Sequence, residues 1–124
     1  MSTLKIGTYE NRTAFRPGEE LAGRVLWILD GEAEAVELRL FWYTSGKGTR
    51  DVAIVDRVRF DAPQRRGQRE FRFTLPASPY SFSGKLISLT WALELIVLPS
   101  DEAERLEITV SPTGQEVALR KGEA

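Results

Sequence analysis

Residues 33–43 read AEAVELRLFWY, and the order of side chains in that stretch decides the fold class. Val36, Leu38, Leu40 and Trp42 occupy every second position, with Glu37, Arg39, Phe41 and Tyr43 between them. An extended chain sends successive side chains to opposite faces, whereas a helix repeats every 3.6 residues. A period of two therefore predicts a strand with one face in a core. Here the second face carries two aromatics as well as two charges, so it is not a simple solvent face.

The same period recurs along the chain. TRDVAIVDRVRF puts Val52, Ile54, Val58 and Phe60 on one predicted inward face, with Asp56 out of pattern. EFRFTL turns Phe71, Phe73 and Leu75 inward. LISLTWALELIVL does so with Ile87, Leu89, Trp91, Leu93, Leu95 and Val97, and RLEITV with Leu106, Ile108 and Val110. LKIGTY and AGRVLWIL supply two earlier strands, and turn-forming residues fill the joints: Pro17-Gly18, Asp30-Gly31, SGKG, APQRRG, LPASPYSFSG and Pro99. About seven strands with turns between them predict an all-β, immunoglobulin-like antiparallel sandwich. We expect it to span residues 1–111, with 112–124 a polar tail or, through Val117 to Leu119, an added edge strand.

FRPGEELAGRV, residues 15–25, is read as a turn feeding a strand. Pro17 presets φ, Gly18 supplies the positive φ of a type II turn, and Glu19 and Glu20 are expected in water. Gly23 is expected to permit a bulge or a close backbone approach.

Composition narrows the function classes. The 124 residues contain neither Cys nor His, which removes disulfides, thiolate nucleophiles, Ser-His and Cys-His systems and the usual zinc sites. A net charge of −1 supplies no global field for nucleic acid or an anionic membrane. The longest apolar run, LISLTWALELIVLP, is short and carries Glu94, so no membrane insertion is expected. The start of the chain lacks a signal-peptide pattern, and we expect a soluble, cytoplasmic protein.

Four pieces in order resemble the arrestin-like domain family: Phe15 to Val25, Val36 to Leu40, Phe71 to Pro76 with Ser78 to Ser81, and Leu89 to Leu95, with Trp91 where Tyr is common. The resemblance covers roughly residues 3 to 111. It implies an immunoglobulin-like sandwich acting as an adaptor or scaffold with no chemistry of its own. Arrestins, the retromer arrestin-like subunit and the bacterial sporulation-control relatives generally carry two such sandwiches, and this chain has length for one. Mechanisms that need both are not carried over, although a homodimer would restore a pair.

Several stretches invite a site. SGKGT, residues 45–49, lacks the earlier Gly and following helix of a phosphate loop, and reads as a hairpin loop. Arg57, Arg59 and Arg72 point away from the core by alternation, with Arg65, Arg66 and Arg69 in the loop between their strands. Such a group suits an acidic partner, or is a solvated face with Arg57 and Arg59 paired to Glu37 or other acids on neighbouring strands. Phe41 and Tyr43 need cover from the N-terminal strand, the C-terminal tail or a partner. Asp56 beside Arg57 reads as a bulge or a salt-bridged edge, not an active acid.

The sequence thus predicts a non-catalytic protein-binding adaptor or scaffold without cofactor or metal. It would act through an exposed sheet edge or through Phe41, Tyr43, Arg57, Arg59 and Arg72. Its partner is another protein or a second copy, not nucleic acid. The alternatives are a small-molecule or carbohydrate-binding sandwich, a weak hydrolase using carboxylates, or a structural homo-oligomer.

Overall fold

A computed structural model of the chain describes residues 1–46, 50–84, 86–113 and 117–118. Lys47, Gly48 and Thr49 of the SGKGT stretch and Leu119 of the tail lie outside the described residues. Two sheets face each other. The smaller has the order β1-β3-β6, built from Thr3–Thr8, Glu20–Ile28 and Arg66–Thr74. The larger centres on two long strands, β4 (Ala35–Gly46) and β8 (Ile87–Leu98), paired antiparallel along their length.

Outward from β4 lies β5 (Val52–Asp61), the free edge of the larger sheet. On the far side of β8 lie β7 (Phe82–Ser83) and β9 (Ala103–Val110), alongside different parts of that strand. Two-residue strands extend that side: β2 (Ala14–Phe15) pairs with β9, and β10 (Val117–Ala118) pairs in parallel with β7. The fold is an all-β sandwich, as the period of two predicts. Among the described residues the one helical element is a single 3-10 turn at Tyr9–Asn11, and no helix is long and apolar enough to cross a membrane.

The inward faces interlock where alternation places them. Leu21, Val25 and Trp27 of β3 and Phe71 and Phe73 of β6 meet Val36, Leu38 and Leu40 of β4 and Leu89, Trp91, Leu93 and Leu95 of β8. Each fully buried Val, Leu or Phe contributes about 1.5–3 kcal/mol, so this layer dominates stability. Both buried indoles hold their polar edge: Trp27 Nε1 donates to Gln64 O at 3.0 Å and Trp91 Nε1 to Pro79 O at 2.9 Å.

The opening turn has the expected geometry, with one correction. Glu19 N donates to Arg16 O at 3.1 Å, and Gly18 takes φ +78°. Glu19, however, is half-buried: its carboxylate accepts from Arg16 N at 2.8 Å and pairs with Arg12 at 2.8 Å. A carboxylate beside its own turn is better used closing it than facing water. Glu20 is exposed, and pairs with Arg72 at 3.3 Å. Gly23 lies against β1, where an added Cβ would meet Gly7 O at 2.0 Å.

Strand β5 departs from its predicted facing. Leu40 stands opposite Asp56 and Phe41 opposite Ile54, leaving Val55 without a partner on β4. This β-bulge inverts the parity of the residues before it. Val58 and Phe60 pack on the core as predicted, whereas Val52 and Ile54 turn to the outer face with Tyr43 and Phe41. Asp56 marks the bulge.

Candidate functional site

The bulge assembles an outer face that simple alternation would not. One cross-strand row holds Val52, Tyr43 and Thr90, and the next holds Ile54, Phe41 and Ala92. Beyond them, Arg57, Arg39, Glu94 and Arg105 stand abreast on β5, β4, β8 and β9. An apolar patch is thereby bordered by an arginine-rich row. The patch forms a groove of about 300 Å³ whose lining includes Phe41, Tyr43, Val52 and Ile54.

Phe41 is only 5% exposed, although it faces away from the core. Among the described residues its cover comes from Tyr43 and Arg105, and most of the C-terminal tail expected as one possible cover lies outside the described residues. The Phe41 and Tyr43 rings stack at 6.0 Å, and the Arg105 guanidinium lies 5.0 Å from the first and 5.3 Å from the second. A cation over a π-face is attractive, and the arginine stem shields the ring from water. Glu94 holds Arg105 in place at 3.0 Å, and Glu37 accepts from Arg39. Arg50, which lines the groove together with Thr44 and Ser45, has no ion pair among the described residues, and neither has Arg57.

Beside the groove runs the free edge of β5, whose hydrogen-bonding direction follows from its two ends. Thr44 N donates to Asp51 O at 2.9 Å, and Ala62 N donates to Glu34 O at 3.0 Å. Hydrogen-bonded and open pairs alternate along an antiparallel ladder, so Val52 and Ile54 direct their N–H and C=O groups away from the sheet. The N–H of Arg57 points the same way but donates to Asp56 Oδ1 at 2.8 Å. The apolar part of this free edge is the short segment Val52–Val55. Its apolar side chains Val52, Ile54 and Val55 are 65%, 48% and 39% exposed.

Of the residues singled out in sequence, Phe41, Tyr43, Arg57 and Arg59 share this outer face, and Arg72 does not. Between β5 and β6 the chain crosses from one sheet to the other, so outward on β6 is the opposite side of the molecule. Arg66 and Arg69 belong to β6, not to a loop. The six arginines are thus not one patch. Arg59 is paired to Asp61 at 2.7 Å and Glu34 at 3.6 Å, not to Glu37. Arg105, Glu94, Arg50 and the outward Val52 and Ile54 were missed as site residues. Glu94, a lone carboxylate in a long apolar strand, was the available signal. Among the described residues no three Asp or Glu side chains gather as a metal site requires.

No protein-family model matches the chain, and no curated protein matches it. Among solved structures it is similar to Spo0M, a sporulation control protein from Bacillus subtilis, with a TM-score of 0.63 and 21% identity over 89% of this chain and 49% of that one. It thus spans about half the length of the Spo0M structure. A beta-glucosidase from Listeria innocua in complex with isofagomine aligns at TM-score 0.50 and 15% identity, over 94% of this chain and 16% of that one. At such identities the likeness shows the fold alone, and that fold is Spo0M-like and arrestin-like.

Proposed function

We propose that this sandwich is a non-catalytic protein-binding module that takes an extended segment of a partner onto the free edge of β5. The observation that carries the proposal is the open Val52–Val55 edge, whose apolar side chains continue into the Phe41/Tyr43 groove. Added strands gain affinity from backbone hydrogen bonds and specificity from pockets for alternate side chains, and both are present side by side. Against a hydrolase reading, Glu94 is the one carboxylate lining the groove among the described residues, and Arg105 already holds it. Carboxylate-based hydrolysis needs a pair flanking the scissile bond.

The test is selection from a displayed library of random linear peptides, followed by amide exchange on the complex. Binders are expected to protect the Val52 and Ile54 amides and to lose affinity in Val52→Pro, which deletes an edge donor. Selected peptides that leave both amides exchanging freely overturn the proposal.

A further inference from the structure

We infer that the partner segment carries charges in a fixed register: acidic, basic, apolar, any residue, apolar, basic, acidic. This deepens the edge-docking reading above and rests on it. The argument begins with the faces of β5. On the groove side stand Val52, Ile54 and Arg57, opposite Tyr43, Phe41 and Arg39, and Arg50, just before the strand, lines the same groove. On the other side stand Asp51, Ala53 and Asp56, with Thr44, Trp42 and Leu40 as their counterparts. Once Val55 is set aside as the bulge, the edge reads basic, acidic, apolar, small, apolar, acidic, basic.

An incoming strand places each side chain beside its neighbour on the same face, where opposite charges attract and like charges repel. Carboxylates at its two ends would meet Arg50 and Arg57, which have no ion pair among the described residues. Basic residues next inward would meet the exposed Asp51 and Asp56. Two apolar side chains would then lie beside Val52 and Ile54, which line the groove. Because this order is a palindrome, parallel and antiparallel partners satisfy it equally.

The same palindrome argues against a second copy as the occupant. Two β5 edges brought together in register set Arg50 against Arg50 or Arg57, and Asp51 against Asp51 or Asp56, whichever way the strands run. Charged ends are a common device against edge-to-edge association. Here they reject self while leaving a complementary strand acceptable, and the occupant is a different chain.

The test uses two end-blocked peptides of identical composition and net charge. One has the core Asp-Lys-Val-Thr-Val-Lys-Asp, the other Lys-Asp-Val-Thr-Val-Asp-Lys. At low salt the first is expected to bind about tenfold more tightly, with the gap shrinking as salt is raised. Both should protect the Val52 and Ile54 amides. In Arg50→Asp/Arg57→Asp, two exposed substitutions that remove no ion pair among the described residues, the preference is expected to vanish or invert. Equal binding of the two peptides with those amides protected would overturn the charge register and leave edge docking standing. A preference for the second peptide would also overturn the register. Protection by neither peptide at millimolar concentration would overturn the docking reading itself.

Discussion

The direction of the β5 backbone can be tested by a pair of neighbouring prolines. Ala53 is opposite Trp42 in a hydrogen-bonded position by alternation from the Thr44–Asp51 contact, whereas Val52 faces the free edge. In Ala53→Pro a ladder donor disappears and a Trp42 carbonyl inside the sheet loses its partner. The lost bond is worth about 1 kcal/mol and the orphaned acceptor about 1–3 kcal/mol more. In Val52→Pro no bond to β4 is removed, and the side chain is 65% exposed, so a cost below about 1 kcal/mol is expected. The difference of about 2 kcal/mol or more corresponds to roughly 8 °C in melting midpoint for a chain of this size. Urea unfolding with equal m-values for both variants is the assay. Equal destabilisation, or a larger loss in Val52→Pro, would refute the assigned polarity and with it the claim that Val52 and Ile54 offer free backbone groups.

Three further outcomes follow from local geometry. Gly23→Ala forces a Cβ to within 2.0 Å of Gly7 O, a backbone atom in a paired strand, and is expected to cost about 2 kcal/mol or more with faster exchange along β1. Arg105→Ala strips the cover from Phe41 and leaves Glu94, whose side chain is 21% exposed, without its ion-pair partner. Stability should fall by about 1–2 kcal/mol and binding of an apolar dye should rise. Glu19→Gln tests the opening turn: the hydrogen bond from Arg12, and then that from Arg16 N, hold the Glu19 carboxyl below its ordinary value of 4.5. A depressed folded-state pKa adds stability above the unfolded value and loses it as pH falls through the folded one. Wild type should therefore exceed the variant by about 1 kcal/mol at neutral pH, with the gap closing below about pH 4.5.

The layers of the sandwich were legible because burial writes its period directly into the strands. Val36, Leu38 and Leu40, or Phe71 and Phe73, have no other way to reach a common core. The close approach at Gly23 and the positive φ at Gly18 were legible for a similar reason, since few other residues tolerate either. The facing of Val52 and Ile54 was not. They satisfy the inward pattern counted from Val58, and only the bulge at Val55 reverses them. Asp56 broke the pattern visibly, but a charge at a sheet edge does not by itself say on which side an extra residue has been inserted. Arg72 was misplaced for a topological reason: adjacent strands in sequence lie in different sheets, and periodicity carries no information about which sheet a strand joins. The pairing of Glu94 with Arg105 required the β8–β9 register, which depends on where the intervening turn closes.

The molecule also supplies its own comparison for the open edge. Strand β6 is likewise an edge, that of the smaller sheet, and its outward positions are Arg66, Gln68, Glu70 and Arg72. Such polar side chains, two of them in exposed ion pairs with Arg24 and Glu20, discourage an incoming apolar strand. Strand β5 follows the same practice over its second half, where Asp56 caps the Arg57 amide and Arg59 is tied to Asp61. Only Val52 to Val55 abandons it, and does so where the bulge has turned two apolar side chains toward an aromatic groove. If the exposed valines and isoleucine were incidental, the neighbouring aromatics, the flanking arginines that have no ion pair among the described residues and the outward amides would have no reason to fall at the same segment. Their coincidence is accounted for in one step by an added strand, which would bury the side chains, occupy the amides and answer the charges together.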